Sequence, residues 1–246
     1  MRWLLLLLLL GPPARAEELV LGLSASEVDI TATFDGSDIL VFGAVKRDRP
    51  SPGPLDVAVA VSGPLRPLVV RHAERTFGIW VNTASVAVDA APSFYAVATT
   101  RPLDRILSDT EDLRRAITPA RAIRAVGTGV ANREDYVEAL LRLYEAEGRY
   151  AVEEGGVAFA EQTLFRARIA LPASLTEGAY ATRIFLLRDG AVIDSAETSI
   201  EVRKVGVERW LYRLSVEQPI PYGLLALLLA IGAGWGAQAA FAAVRP

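Results

Sequence analysis

Side chains that could carry out chemistry are scarce in this sequence, and the one histidine is His72. On a strand, His72 and Glu74 would share a face and offer two ligands, whereas zinc sites take about four, largely from cysteine and histidine. A Ser-His-Asp triad would also need His72 as its base, yet no Gly-x-Ser-x-Gly motif frames any serine. We therefore interpret His72 as a strand-end histidine satisfied by hydrogen bonds. We predict no catalytic, cofactor-binding or metal-binding residues.

Three other groupings resemble fragments of functional sites. Asp35 and Asp38 bracket a Gly-Ser turn and form a minimal oxygen cluster for calcium, but the full ligand loop of a calcium hand is missing. Gly127-Thr128-Gly129 lies between predicted helices, without the preceding strand that a phosphate loop needs. Glu153 and Glu154 would point to opposite sides of an extended chain, so they do not form a glycosidase pair. These groupings fit turns, loops and solvated surface.

The stretch Ile220 to Val244 has no charged side chain and predicts one transmembrane helix. A helix needs roughly 20 apolar residues to cross a bilayer core, so this stretch is long enough. Within it, Gly232, Gly236 and Ala240 recur at four-residue spacing and leave one helix face nearly bare. Such small-residue faces let helices approach closely in lipid. We expect this face to pack against another membrane protein or a second copy of the chain.

The N-terminus has the three parts of a secretory signal peptide over residues 1–16. Arg2 precedes the apolar run Trp3 to Leu10, and Ala14-Arg15-Ala16 has the small-x-small form that signal peptidase accepts. We predict cleavage after Ala16, export of the body, and a cytoplasmic tail of residues 245–246. Because the chain has no cysteine, neither a lipoprotein anchor nor a disulfide is possible.

Residues 205–219 link the body to the span and predict an amphipathic juxtamembrane segment. Its apolar residues recur at helical spacing, at Val207, Trp210, Leu211 and Leu214. Such a helix would lie on the outer surface of the membrane that the span crosses, or it would continue into the span.

Charge indicates which partners are poor candidates. The chain has 26 Lys and Arg residues against 29 Asp and Glu residues, and it contains no basic run. Nucleic acids and anionic lipid headgroups attract clustered basic side chains, so the sequence favours neither as a partner.

The body, residues 17–204, is predicted to be mainly β. Val28–Phe34 and Phe165–Leu171 alternate with period two, and Ile39–Val45 is an apolar run. Asp35-Gly36 predicts a turn that leads into Ile39–Val45 as a return strand, and Asp189-Gly190 predicts a later hairpin. The further predicted strands are Asp56–Val61, Leu68–His72, Phe77–Val81, Ser93–Thr99, Tyr180–Leu187 and Val192–Val202.

The middle of the body, residues 104–148, changes to a helical period. Ser108-Asp109-Thr110-Glu111 has the form of a capping box, and a firmer helix follows Asn132, with Gly148 at its C-cap. The fold prediction is an immunoglobulin-like antiparallel sandwich with a two-helix insertion, plus one C-terminal transmembrane helix. Whether the body is one sandwich or two domains stays open, and we favour one.

Gly178 and Tyr180 predict a structural lock. The segment from Leu171 reads Leu-Pro, a turn, and Gly-x-Tyr entering a strand, which resembles the tyrosine corner of immunoglobulin-like sandwiches. A corner tyrosine holds a crossover loop and does no chemistry. The other strand aromatics are expected to pack in the core: Trp80, Phe94 and Tyr95.

Several segments carry a resemblance that covers nearly the full length. They are Leu23–Ile30, Phe34–Ala44, Leu171–Tyr180, Asp189-Gly190, and Lys204-Val205-Gly206 before Trp210. In these segments the chain resembles an uncharacterised alphaproteobacterial family of transmembrane proteins with a signal peptide and one C-terminal span. The resemblance implies an inner-membrane protein with a periplasmic body and brings no catalytic residues. It also implies a loose connection with permeases of the sulfite-exporter type, and hence a transport accessory role.

Together these features predict a single-pass membrane protein that acts by binding and assembly. The first hypothesis is a non-catalytic accessory subunit of a membrane complex such as a transporter. The alternatives are a membrane-tethered periplasmic hydrolase and a ligand-binding module. A cleft with converging carboxylates, His72 or an oxyanion hole would favour the enzyme.

Overall fold

The computed structural model describes most of the chain. The described residues are 17–31, 34–47, 53–124, 133–161, 163–205 and 207–244. The predicted signal peptide, the Gly127–Gly129 loop and the tail at 245–246 lie outside them. The described chain is mainly β, with several sheets, few helices and a C-terminal apolar helix. It divides into two compact units, one of the residues up to Val28 with Asp35–Val202, the other of Asp29–Phe34 with the residues from Arg203 onward.

Most strands form where apolar residues alternate or run together, as the sequence predicts. The strands are β1 (Glu17–Leu23), β2 (Glu27–Ile30), β3 (Ser37–Arg47), β4 (Asp56–Ser62), β5 (Leu65–Thr76), β6 (Ile79–Pro92), β7 (Tyr95–Thr99), β8 (Tyr150–Glu154), β9 (Val157–Ala160), β10 (Leu164–Leu171), β11 (Gly178–Arg188) and β12 (Ala191–Lys204). The helices are α1 (Leu103–Ile106), α2 (Asp109–Arg115), α3 (Pro119–Ala122), α4 (Arg133–Ala146), α5 (Val207–Glu217) and α6 (Pro219–Val244). The sequence prediction had no counterpart for β1, β8 and β9.

The first sheet is a curled half-barrel of four antiparallel strands in the order β1-β3-β10-β9. Strand β10 alternates strictly, with Phe165, Ala167, Ile169 and Leu171 buried and the residues between them exposed. This confirms the period-two prediction for that segment. One face of the curled sheet therefore belongs to the core, and the other is open to solvent.

The second sheet has six strands in the order β2-β12-β11-β4-β7-β8. Its inner strand β4 pairs with both β11 and β7, and Asp56–Val61 is buried throughout. Strands β11 and β12 form the hairpin predicted from Asp189-Gly190. Both turn residues have positive φ, 49° and 81°, as a tight two-residue hairpin turn requires.

Strands β7 and β8 pair in parallel, which corrects the prediction of a purely antiparallel sheet. Parallel neighbours cannot be joined by a tight turn, because the chain must return to the same end of the sheet before the second strand starts. The segment that carries α1, α2, α3 and α4 makes this return. Where two helices were predicted, the described residues of this crossover thus form four.

The predicted hairpin across Asp35-Gly36 is also wrong. Strand β2 lies beside β12 in the six-stranded sheet, whereas β3 pairs with β1 and β10 in the curled sheet. The turn, with Gly36 at φ 116°, therefore leads from one sheet into the other. The place beside β3 is taken by β1, a short apolar strand that the sequence prediction lacked.

Helix boundaries follow the predicted capping signals. Ser108 is the N-cap of α2, and its side chain accepts a hydrogen bond from the Glu111 N–H at 3.4 Å, as the capping-box pattern indicates. Gly148, at φ 68°, follows α4. At the C-terminus, α5 falls in the predicted juxtamembrane segment and α6 covers the predicted span.

Candidate interaction site

Strands β5 and β6 form a two-stranded antiparallel ribbon that runs from the Leu65 and Pro92 pair to the Thr76 and Ile79 pair. Phe77 (φ 50°) and Gly78 (φ 88°) make the turn. Glycine and asparagine adopt positive φ readily, whereas an aromatic residue rarely does. Phe77 is therefore held in a strained backbone conformation at the end of the ribbon.

Large apolar side chains at this end are open to solvent. Phe77 is fully exposed, and Ile79 and Trp80 are 66% and 73% exposed. The expectation that Trp80 packs in the core is wrong, whereas Phe94 and Tyr95 are buried as predicted. We refer to the segment Phe77–Trp80 as the ribbon tip. The predicted strand Phe77–Val81 is therefore wrong at its first two residues, and Gly78 was the sequence signal that could have indicated a turn there.

A second apolar surface is a groove of about 600 Å3 on the open face of the curled sheet. Val20, Phe42 and Leu164 contribute large side chains that are 52%, 43% and 60% exposed. A Cβ atom at Gly22 would lie 2.5 Å from the Phe42 ring, so only glycine leaves room for the ring there. Arg166 is the charged residue of the lining, which also includes Leu21, Phe165 and the small residues Gly43, Ala44, Ala158 and Ala160.

A partly buried polar network fastens the C-terminal end of α2 to the six-stranded sheet. Arg183 donates to the carbonyl oxygens of Arg115 at 2.7 Å and Ala116 at 2.9 Å, and to the Tyr95 hydroxyl at 3.0 Å. The Tyr95 hydroxyl in turn donates toward the carbonyls of Ala116 and Ile117. Burial raises the pKa of Tyr95 to about 12, although Arg183 acts in the opposite direction. The phenol therefore stays a hydrogen-bond donor, and the network is structural.

Asp56, at the start of β4, forms a second polar network. Its side chain is 5% exposed, accepts from the Thr100 hydroxyl at 2.7 Å and pairs with the Arg101 guanidinium. Burial by itself raises the pKa of Asp56. The hydrogen bonds from Arg101 and Thr100, together with the charge of Arg101, outweigh burial and hold that pKa below its ordinary value. Asp56 is therefore an ion-paired carboxylate that joins β4 to the end of β7.

The side chains that could carry out chemistry pair with a nearby charge, cap a helix or face solvent. His72 Nε2 is 3.4 Å from Glu74 Oε1, and both side chains are more than half exposed within β5, so the strand-end interpretation of His72 is wrong. Glu154 Oε1 accepts a hydrogen bond at 3.0 Å from the N–H of Leu103, the first residue of α1. Asp38 Oδ2 lies 4.0 Å from Arg168 Nε. The other two carboxylates are exposed: Asp35 and Glu153. Among the described residues, no group of three or more His, Cys, Asp or Glu side chains could hold a metal ion.

Tyr180 holds the loop before its own strand. It is 1% exposed, its hydroxyl donates to the Thr176 carbonyl at 2.8 Å, and the Thr176 N–H donates back at 3.2 Å. Gly178 has φ 142°, and a Cβ atom there would lie 2.6 Å from the Pro64 ring. The fold therefore requires glycine at position 178, and it requires tyrosine rather than phenylalanine at position 180 for these hydrogen bonds.

The small-residue face lies on α6. The stretch Pro219–Gln238 of this helix is long and apolar enough to cross a membrane, and its most apolar part is not buried. A Cβ atom at Gly232 or Gly236 would have no neighbour within 4 Å, so both glycines face open space. Ala240 is on α6 two residues beyond this stretch.

A comparison with known families identifies the chain. Residues 18–243 match the family described as "Putative transmembrane protein (Alph_Pro_TM)", and the chain belongs to that family. No curated protein matches the chain. Membership therefore agrees with the candidate span in α6 and assigns no activity.

Proposed function

With membership of that transmembrane family as the premise, we propose that this protein is a non-catalytic, single-span interaction subunit of a membrane complex such as a transporter. Its body, residues 17–204, stands on the periplasmic side of a bacterial inner membrane, and its tail is cytoplasmic. Residues 205–219 link the two as an amphipathic segment. The observation that carries the proposal is α6, an apolar helix of 26 residues with an open glycine face.

The glycine face supports pairing because of what surrounds it on the helix. Gly232, Gly236 and Ala240 are spaced by four residues and so lie along one side, whereas Gly234 lies on the opposite side. Helices in lipid gain contact mainly through close backbone approach, which small residues permit and leucine blocks. The partner is another membrane protein or a second copy of this chain.

Co-purification from native membranes tests this pairing. The full-length tagged chain is solubilised in mild detergent, and the proteins recovered with it are quantified. We expect the double variant Gly232→Leu and Gly236→Leu to lower recovery of the partner about tenfold, equivalent to about 1.4 kcal/mol of association free energy, because leucine blocks the close backbone approach that glycine permits.

Gly234→Leu is the matched control, because it adds the same side chain at the same depth on the other face. It should leave recovery unchanged. Recovery of the chain alone as a monomer, or equal loss in both variants, would exclude the glycine face as the interaction surface.

The groove on the curled sheet favours a second candidate, a ligand-binding body. Its apolar lining and the single Arg166 suit a chain-like amphiphile with an anionic end. A fluorescent fatty acid titrated onto the full-length protein tests this. Ala158→Phe, which would fill the groove, should abolish binding, whereas Ala179→Phe, at an exposed position of β11, should not. Absence of binding to the unaltered protein would remove this candidate.

The body itself we assign to the immunoglobulin-like sandwiches, as one domain with the helical crossover at about 104–148. Two observations support this: the presence of two main sheets, and the Tyr180 hydroxyl bound to the loop that precedes its strand. In this assignment Gly178 and Tyr180 are structural residues and take no part in binding.

A further inference from the structure

The outer half of the β5 and β6 ribbon is exposed on both of its faces. Every residue of Arg71–Thr76 and of Ile79–Ser85 is exposed, and the ribbon forms a two-stranded sheet of its own. An isolated two-stranded hairpin is marginally stable in water. A ribbon that also presents Phe, Ile and Trp at its end is therefore expected to place that end in a less aqueous medium.

The distribution of the apolar side chains indicates which medium. Ile79 and Trp80 are consecutive on one strand and so point to opposite faces, while Phe77 extends from the turn between the strands. A partner protein would cover one face of such a ribbon and leave the other in water. A bilayer would surround the end from all sides, so the arrangement favours lipid.

Two arginines lie on the outer half of β5, one beside the tip and one behind it, where lipid headgroups would be. Arg75 pairs across the ribbon with Trp80, and Arg71 pairs with Ser85 further back. Against these two arginines, Glu74 is the one acidic residue of the outer half, and it faces His72. The sequence as a whole predicts no headgroup-binding patch, yet the ribbon places Arg75 beside Trp80 and Arg71 four residues further from the turn. Long arginine side chains can reach phosphate oxygens while the aromatic residues lie in the interfacial layer.

The strained turn supports the same function for the tip. Phe77 occupies a backbone conformation in which glycine or asparagine is normally found, and strain of this kind is retained where it positions a side chain. Here it places a phenyl ring at the outermost point of the ribbon.

We propose that the ribbon tip Phe77–Trp80 inserts into the interfacial layer of the membrane and gives the body a second attachment beside its span. The occupant of this surface is the lipid bilayer. Because the chain belongs to a transmembrane family, insertion of the tip would be intramolecular and would need little affinity of its own. Polar residues Asn82 and Thr83 would remain outside the lipid.

Fluorescence of Trp80 in the full-length protein tests the proposal. The protein is reconstituted into vesicles of phosphatidylethanolamine and phosphatidylglycerol, with phenylalanine at the other tryptophan positions, which are Trp3, Trp210 and Trp235. Brominated phospholipids should quench Trp80 about twofold or more and shift its emission to shorter wavelength, as for an interfacial tryptophan. Phe77→Ser with Ile79→Ser should return Trp80 to the emission of a solvated side chain.

A second single-tryptophan protein provides the control. It carries Trp80→Phe and Leu143→Trp, because Leu143 is an exposed residue of α4. This tryptophan should not be quenched. Equal quenching at both positions, or no quenching of Trp80, would overturn the proposal. The vesicles hold no partner protein, and Gly232→Leu with Gly236→Leu should leave Trp80 quenching unchanged, so failure here is distinct from failure of the pairing in the membrane.

Discussion

Strand β4 and the outer half of the β5 and β6 ribbon are built from similar strand-forming residues but have opposite environments. Residues Asp56–Val61 of β4 are buried on both faces, between β11 and β7. Residues Ile79–Ser85 are exposed on both faces, with β5 as their sheet partner. A strand's neighbours, rather than its own composition, therefore decide whether its apolar residues stabilise the fold or remain available for contact.

Both polar networks join structural elements at the six-stranded sheet and not in the ribbon. The Tyr95 and Arg183 network and the Asp56 and Arg101 pair both involve strands of the six-stranded sheet. The ribbon has the exposed His72 and Glu74 pair, and an exposed pair contributes little to stability. Substitutions in the two regions should therefore differ sharply in their effect on unfolding.

The largest difference is expected between two aromatic residues. Tyr95→Ala should destabilise the protein by about 4 kcal/mol, because it removes a fully buried ring. Trp80→Ala should change the free energy of unfolding by no more than about 0.5 kcal/mol, because its side chain is largely exposed. Urea unfolding of the full-length protein in detergent, followed by circular dichroism of the β signal, measures both. A comparable loss in Trp80→Ala would show that the ribbon packs in the fold.

A smaller effect is expected from the network around α2. Arg183→Met should destabilise the protein by about 2 kcal/mol, because two carbonyls and the Tyr95 hydroxyl lose a charged donor. Arg168→Met is the control, since Arg168 is exposed and lies 4.0 Å from Asp38. It should be nearly neutral, and the same unfolding measurement applies. Equal effects for the two arginines would contradict a structural role for the network.

The smallest effect is a pH dependence at Asp56. Its pKa is lowered in the folded state, so its stabilisation is fully present above the unfolded-state pKa and is lost as pH falls through the folded-state pKa. Arg101→Met leaves burial as the dominant influence and should raise that pKa above its ordinary value. In that variant, protonation of Asp56 should stabilise the fold, so the sign of the pH dependence at this residue reverses.

Thermal unfolding of four proteins over the acid range isolates this contribution. They are the unaltered chain, Asp56→Asn, Arg101→Met and the double variant. At each pH, the stability of the Asp56→Asn counterpart is subtracted from that of the protein with Asp56. This subtraction cancels the contribution from titration of the other carboxylates. An unchanged sign in Arg101→Met would mean that Arg101 does not control the charge of Asp56.

Local patterns predicted those parts of the fold in which neighbours in sequence are neighbours in space. The alternation of Phe165–Leu171 specifies a half-buried strand, and the Asp189-Gly190 turn specifies a hairpin. Both predictions are confirmed. The parallel pairing of β7 with β8 depends on a long crossover, which no local pattern specifies. The path from β2 into a different sheet from β3 likewise depends on where β1 lies.

The candidate interaction surfaces were predictable to different degrees. The span follows from composition alone, and Gly232 and Gly236 can be read from their spacing. Exposure of Trp80 could not be predicted, because the same residues in a strand suit a buried sheet or a projecting ribbon. The groove depends on Gly22 lying beside Phe42, and this contact exists only through the pairing of β1 with β3.

Pairing of α6 within the membrane is tested most directly by photo-cross-linking in native membranes. A photoreactive amino acid is placed at Leu229, on the same face as Gly232 and Gly236, or at Leu227, on the opposite face. The proposed function predicts a discrete protein adduct from Leu229 and none from Leu227. Adducts of equal yield from both positions, or no protein adduct from Leu229, would contradict it.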